Sequence, residues 1–443
     1  MSSKKLSRPV SVVGVGSTKF GDPADTPELA GLTVQDMGAW AAALAMEDAG
    51  INPRQIEKCA LGMVCSSFYN SGNMAPIHGF LEFIGMKGKT GVYHNEACAS
   101  SFNCFEEAVL EVASGRYDIM IVVDSDMTRW TTAPYKPSSY LYPSSEYIKI
   151  HGHDWPGANA TANTAYDRWT GAVPMDASGK YYIRENGISE AELEDALIGM
   201  AVTAREHGSL NPLAYARTTL QEDAKKRGFD SVKDYMRSKY NPHLSEYVRV
   251  AYTAPFSQGA TAIIVCASEI ADQFKQMPVD IVNISACELN QLTPNCVPSM
   301  NKRAAEDIYK VTGYKPEDIE YLCTTDMEML DVLESAEAVG YLPKGEGWKY
   351  FRAGRTRFDK DKPINTNGGH TSIGHAFAAS SLTTIIEIVL QMRGQAGARQ
   401  IPKAPKVSLM RGTGSGQQVN FTLFKTPESS KAKFGLAPAV SSY

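Results

Sequence analysis

Tyr93-His94-Asn95-Glu96-Ala97-Cys98-Ala99-Ser100-Ser101 is where a strand-like apolar run stops and a helical pattern begins. Phe102, Phe105, Ala108, Val109 and Val112 follow at three- and four-residue spacing up to Gly115, which reads as an amphipathic helix with a glycine stop. Cys98 therefore stands at a helix entrance, against unpaired N–H groups. A free thiol has a pKa of about 8.5, so holding it as thiolate at neutral pH takes roughly 2 kcal/mol. A helix terminus supplies about 0.3–1 kcal/mol and at best ~2, so the position asks for a second group, a histidine above all. The plainer reading of a lone cysteine at an Ala-rich helix start is a small buried hydrophobe.

At 443 residues the chain exceeds one ordinary core, which predicts two domains or a duplicated unit with an insertion. Lys plus Arg number 44 against 49 Asp plus Glu, a balance that excludes a global pull toward nucleic acid or an anionic membrane. Eight scattered cysteines, without a C-x-x-C pair or a His/Cys cluster at zinc-ligand spacing, predict reduced thiols and no metal in this chain. Met1 to Arg8 lead straight into a strand without the apolar run of a signal peptide or membrane span. The final Ser441-Ser442-Tyr443 is no peroxisomal address, so the expected location is cytoplasmic.

The chain also repeats itself. A strand at Val10 to Val15, a helix from Val34 to Ala49 stopped by Gly50, and the phrase Ile51 to Glu57 lead into a strand at Cys59 to Val64. The phrase returns as a helix from Ala304 to Thr312, Gly313 to Glu320 and a strand at Tyr321 to Thr324. Gly50, Pro53, Ile56 and Glu57 are each matched 263 residues later. Ala99-Ser100-Ser101 faces Ala379-Ser380-Ser381 at an offset of 280, and Glu107, Val109 and Leu110 then fall on Glu387, Val389 and Leu390. Each half closes on a glycine-led strand, Gly259 to Val265 and Gly416 to Phe424. The repeat predicts two similar βαβ-rich halves, with one helix of each buried between sheets.

Thr128 to Ala251 has no counterpart. It is rich in Tyr, His, Trp and Pro and carries charged helices near Ser189 to His207 and Leu220 to Lys239. A segment of that length is expected to be a lid or binding subdomain, the alternative being a solvated decoration. The expected units are 1–268, containing the insertion at about 128–251, then 269–424, and a surface tail at 425–443.

The partner for Cys98 is sought in the repeat-related stretch Asn365-Thr366-Asn367-Gly368-Gly369-His370-Thr371-Ser372-Ile373-Gly374-His375-Ala376-Phe377. A pseudo-twofold axis would open both helix starts toward one place and bring His375 to Cys98. A neutral imidazole there can take the thiol proton, and its cation then stabilises the thiolate. His370 and His375 lie five apart, and at least one is open to a simple backbone hydrogen bond. Arg411-Gly412-Thr413-Gly414-Ser415-Gly416 is either a tight turn or a place where N–H groups meet an oxyanion.

On these motifs the chain resembles the thiolase superfamily, from Val10 to about Phe424. Asn95 to Ser100 looks like its nucleophile motif, and Asn367-Gly368-Gly369 with Gly374-His375 like the motif of the histidine that activates it. Gln391 to Gln400 is similar to a segment of the sterol-carrier-type, acetyl-CoA acetyltransferase-like branch, and the glycine run takes the place of the last catalytic loop. The resemblance implies an α/β thiolase fold, two pseudo-twofold-related halves in a five-layered αβαβα arrangement. It implies a two-step acyl transfer: the Cys98 thiolate attacks a 3-oxoacyl-CoA, the C–C bond breaks, and coenzyme A as cosubstrate takes the acyl group from the thioester. One oxyanion site falls to His375 with a held water, the other to backbone N–H groups of Cys98 and Gly414.

Two departures mark the sequence. The family's acid/base cysteine has no equivalent, since Ser408-Leu409-Met410-Arg411 stands before the glycine loop. The water-holding motif is replaced by Thr325-Asp326-Met327-Glu328. Asp326, Glu328 or His370 is left to carry the proton. The resemblance further implies a homodimeric core, a small OB-fold partner subunit holding the only zinc, and an aromatic substrate as in anaerobic toluene degradation. That substrate would be 2-benzoylsuccinyl-CoA, cleaved to benzoyl-CoA and succinyl-CoA. The competing expectations are a retro-aldolase working with an OB-fold partner and a noncatalytic acyl-CoA-binding scaffold.

Overall fold

Apolar runs rich in Val, Ile and Ala form nine strands among the described residues, which are 4–64, 76–127, 172–288, 296–414 and 418–427 of this computed structural model. They are β1 (Val10–Ser17), β2 (Lys58–Gly62), β3 (Thr90–His94), β4 (Ile119–Met127), β5 (Gln258–Ala267), β6 (Val279–Glu288), β7 (Tyr321–Thr324), β8 (Val407–Gly414) and β9 (Gln418–Lys425). One sheet joins them in the order β3-β2-β4-β5-β1-β6-β9-β8-β7.

From the β1–β6 junction outward, the two halves repeat. β1 is antiparallel to β5, β5 to β4, and β4 is parallel to β2. In the same way β6 is antiparallel to β9, β9 to β8, and β8 is parallel to β7. β3 adds a further parallel strand beside β2, and its counterpart is reduced to a parallel bridge between Leu322 and Ile364. The bulges match as well, between Val12 and Gly14 in β1 and between Ile281 and Asn283 in β6. At the junction Val10, Ser11 and Val12 face Ile281, Asp280 and Val279. Ser11 and Asp280 are each second in their strand, so the pseudo-twofold axis runs between them. The Ser11 hydroxyl donates to Asp280 Oδ1 across it at 2.8 Å.

The helices of eight residues or more are α1 (Val34–Ala49), α2 (Pro76–Phe83), α3 (Ser100–Ala113), α4 (Ala172–Asn186), α5 (Glu190–Leu210), α6 (Cys296–Thr312), α7 (Met329–Ala338) and α8 (Thr383–Arg393). Three apolar cores sort them into layers. Met37, Ala41 and Ala45 of α1 and Phe80 of α2 cover Val13, Leu61, Val123 and Ile264. Phe105 and Val109 of α3 share a core with Ile385 and Val389 of α8, between Val122 and Val265 of one half and Ile281, Cys323 and Met410 of the other. Ile308 of α6, Leu333 of α7 and Leu197 of α5 cover Leu409, Phe421 and Leu423. Both halves of the sheet thus place a face on the same helix pair, and the sheet folds back at the β1–β6 junction into five layers, helix outside and between.

The expected boundary at 268/269 falls in the turn Ser268–Gln273 between β5 and β6. The aromatic-rich part of the insertion, 128–171 with Tyr135, Tyr140, His151, His153 and Trp155, lies outside the described residues, as do Gly416 and tail residues 428–443. The described remainder packs onto the core. α5 is no solvated charged helix: Leu193, Leu197, Met200, Ala204 and His207 are buried, and Glu194 is paired with Arg237 and Arg249. Leu220 to Lys239 is two short helices, Leu220–Lys226 and Val232–Met236, interrupted where Gly228 takes φ +81°. No helix among the described residues is long and apolar enough to cross a membrane.

Candidate active site

β3 ends at His94 and α3 begins at Ser100, and the turn between them holds Ala97 at φ +47°, a left-handed conformation costly for a residue with a Cβ. Ser100 fixes the turn, its hydroxyl donating to Ala97 O and accepting from Glu96 N, both at 2.7 Å. Ala99 N and Ser100 N donate to Glu96 O and Ala97 O. Two helix-entrance N–H groups that the sequence reading leaves to the Cys98 sulfur are therefore taken by the turn itself.

The same turn recurs 280 residues later. Phe377 is at φ +43°, and the Ser380 hydroxyl donates to Phe377 O at 3.2 Å and accepts from Ala376 N at 3.1 Å. In this frame Ala378 stands where Cys98 stands and His375 where Asn95 stands. One half contributes the thiol and the other the imidazole.

The two meet: Cys98 Sγ lies 3.1 Å from His375 Nε2, and neither residue is more than 1% exposed. The His375 backbone is pinned on both sides, its N–H donating to Pro255 O and its carbonyl accepting from Ser257 N. The rings of Phe256, Phe377 and His370 stand 6.3, 5.7 and 5.6 Å from its own. Ser381 donates to Cys98 O at 3.1 Å. Asp126, at the end of β4, accepts from Val64 N and Ala378 N, locking the second turn onto the first half. Burial, and then the neighbouring His370, push His375 well below the usual imidazole range. It rests as a neutral base able to accept the thiol proton.

His370 does more than bond the backbone. It sits in the short helix Gly369–Ile373, where its N–H donates to Asp326 Oδ1 at 2.5 Å and its Nδ1 lies 3.1 Å from the same oxygen. Thr371 donates to Asp326 Oδ2. Gly369 is at φ +62°, and a Cβ there would overlap the Asp326 carboxylate, so glycine is required. The buried His370 Nε2 finds no hydrogen-bond partner among the described residues. Glu328, two residues beyond Asp326, precedes α7 and pairs through its backbone with Thr253. Gly414 lies on the nucleophile turn, where a Cβ would collide with Ala99.

Of the residues before the glycine loop, Met410 faces the α3 side and joins its core. Arg411 points to the opposite side, fully buried and held by Asp331 at 2.5 and 3.0 Å and by Asn301 at 2.9 Å.

α5 buttresses the histidine loop from behind. Ser372 donates to Ala204 O, Ala216 N to Ser372 O, and Asn211 Nδ2 to Asn367 O. His207 Nδ1 donates to Asn365 O while its Nε2 accepts from Phe358 N, and burial lowers its pKa to about 4. On the other side Glu387, gripped by Arg399 at 2.8 Å, accepts from Thr366 and Gln391, which is what the Gln391 to Gln400 segment contributes. Sequence reasoning missed His207, Asn211 and Asp126. The repeat pointed to Ser380 and Ser381, but a lone histidine among charges carries no such signal.

Residues 10–153 match the family model described as thiolase, N-terminal domain, and residues 287–424 the one described as thiolase C-terminal domain-like. An acetyl-CoA acetyltransferase of Methanothermobacter thermautotrophicus is 26% identical over 403 residues, 90% of this chain and 94% of that protein. The benzoylsuccinyl-CoA thiolase subunit BbsB of Thauera aromatica is 24% identical over 419 residues, 93% of this chain and 96% of that one. Among solved structures, the Ltp2-ChsH2(DUF35) aldolase shares the fold with a TM-score of 0.71 at 17% identity, over 96% of this chain and 99% of that one.

Proposed function

The chain belongs to the thiolase superfamily, and on that premise we propose that it cleaves a 3-oxoacyl-CoA with coenzyme A through an acyl thioester on Cys98. The observation that carries this reading is the 3.1 Å contact between the Cys98 thiol and the neutral, buried His375. His375 takes the thiol proton as Sγ attacks the keto carbon, the bond to the α-carbon breaks, and the coenzyme A thiol then takes the acyl group. The N–H groups of Cys98 and Gly414 are assigned to the oxyanion, in keeping with the close approach of Gly414 to Ala99.

For the substrate we favour 2-benzoylsuccinyl-CoA, split to benzoyl-CoA and succinyl-CoA. Its support is the near full-length similarity to a subunit named for that compound. β3 ends the sheet as a partly exposed edge strand, which supports a homodimer paired through the nucleophile half. A partner subunit of the zinc-binding OB-fold kind belongs to the same reading, in the cytoplasm.

Intact mass of the protein after mixing with 2-benzoylsuccinyl-CoA, benzoyl-CoA or acetoacetyl-CoA tests it, with and without a candidate partner and beside Cys98→Ala. A benzoyl adduct that depends on Cys98 is expected. An adduct from acetoacetyl-CoA alone keeps the mechanism and discards the aromatic substrate. If no acyl-CoA labels Cys98, the retro-aldolase or scaffold reading takes over.

A further inference from the structure

Cleavage of the C–C bond leaves the departing thioester as a carbanion that must be protonated, yet His375 already holds the proton of Cys98 and must return it when the acyl group leaves. A second proton carrier is therefore required, and no imidazole, carboxylate, thiol or amine of β8 stands on the side of the cysteine: Ser408 offers only a hydroxyl, Met410 lies in the apolar core, Gly412 packs on Phe102, Gly414 packs on Ala99, and Arg411 points away into its pair with Asp331.

Resting on the thiolase reading above, we propose that His370, oriented by Asp326, is that second acid/base. Its ring stands 5.6 Å from that of His375 at 62°. Nδ1 is held by the Asp326 carboxylate, which fixes the tautomer and leaves exchange to Nε2. That nitrogen belongs to a side chain only 1% exposed and has no hydrogen-bond partner among the described residues, an uncommon state for a buried polar atom and one that a reacting group would relieve. The histidine is also gripped from outside the ring, through its own N–H and through Thr371, so Asp326 is a positioning residue for the whole turn.

The steps balance. The bond between the keto carbon and the α-carbon breaks with its electron pair on the α-carbon, the His370 imidazolium gives that carbon its Nε2 proton, and the shortened acyl-CoA leaves. Neutral His370 then takes the proton of the incoming coenzyme A thiol. Its thiolate displaces Cys98 Sγ from the acyl group, and Sγ recovers its proton from His375. Both histidines end as they began.

The test separates nucleophile activation from proton delivery. p-Nitrophenyl acetate, whose phenolate leaves without a proton, acylates Cys98 with help from His375 alone. Thiolysis of 2-benzoylsuccinyl-CoA and acetoacetyl-CoA needs both histidines. His370→Gln is expected to keep Cys98 acetylation by the ester, read by intact mass, within about threefold of wild type while losing at least about 100-fold in thiolysis. Asp326→Asn is expected to lose about tenfold in thiolysis with the same labelling. Thiolysis by His370→Gln within tenfold of wild type overturns the proposal. So does a parallel fall of labelling and thiolysis in both variants, which marks a structural role. A wild-type protein labelled by neither ester nor acyl-CoA removes the thiolase reading and this inference together, an outcome distinct from either.

Discussion

The Cys98 sulfur leans on the His375 imidazole, because the turn carbonyls absorb part of what the helix entrance offers. His375→Gln should therefore cut thiolysis by about 10²–10⁴-fold with an unchanged circular dichroism spectrum. Gly369→Ala places a methyl group against Asp326 at a left-handed φ, and at least a 100-fold loss of activity together with a lower melting temperature is expected. His207 answers to pH. The unfolded imidazole binds a proton below about pH 6.5 and the native one only below about pH 4, so between these the unfolded state holds more protons and stability falls as pH falls. From about pH 7.5 to pH 5 the loss is about 2 kcal/mol, and urea unfolding should show wild type losing that much more than His207→Gln. Cys98 and His375 were legible because the repeat relates their turns. The His370–Asp326 contact was not, since Asp326 lies on a separate segment and competed on equal terms with Glu328.

Elements tell a different story from single residues. α5 reads as charged because Glu190, Glu192, Glu194 and Asp195 crowd its first turns and Arg205 and Glu206 its last, yet its buried stripe holds the loop that carries both histidines. Gly208 lets the helix touch Ser372, and a Gly208→Val side chain would have to displace that loop. About a tenfold or greater loss of thiolysis is expected, with most of the fold intact by urea titration. β8 offers the converse case, a strand whose buried charge is purely architectural. Asp331→Ala leaves Arg411 fully buried without its carboxylate, and the measured unfolding free energy should drop by about 3–5 kcal/mol. The helical pattern near Ser189 to His207 announced α5, whereas β8 runs through Arg411 to Gly414, where the sequence reads as a tight turn or an oxyanion loop. Which face of α5 is covered depends on a loop more than 150 residues away, which no local pattern encodes.

Across the whole molecule the two halves of the sheet meet at only three residue pairs of β1 and β6, while their real union is the shared core of α3 and α8. Fragments cut between Lys275 and Gln276 should therefore reassemble when coexpressed and purify together on a tag carried by one of them. Fragments that fold separately and never associate would contradict this. The repeat in the sequence foretold the two halves, but it did not show that one sheet runs through both, because strand order at a junction is set by pairing and not by periodicity.

The equivalence of the two turns has a historical meaning. Ser11 and Asp280 face each other as the same position of two copies would, and both turns keep a left-handed residue at the same place, Ala97 and Phe377, and the same bracing serine. An ancestor half as long, paired with its twin about that axis, would have owned the site twice over, with a thiol and an imidazole available to every turn. In the single chain each turn keeps only one of them. Asn95 and Ala378 hold the places that answer to the imidazole and the thiol of the opposite turn.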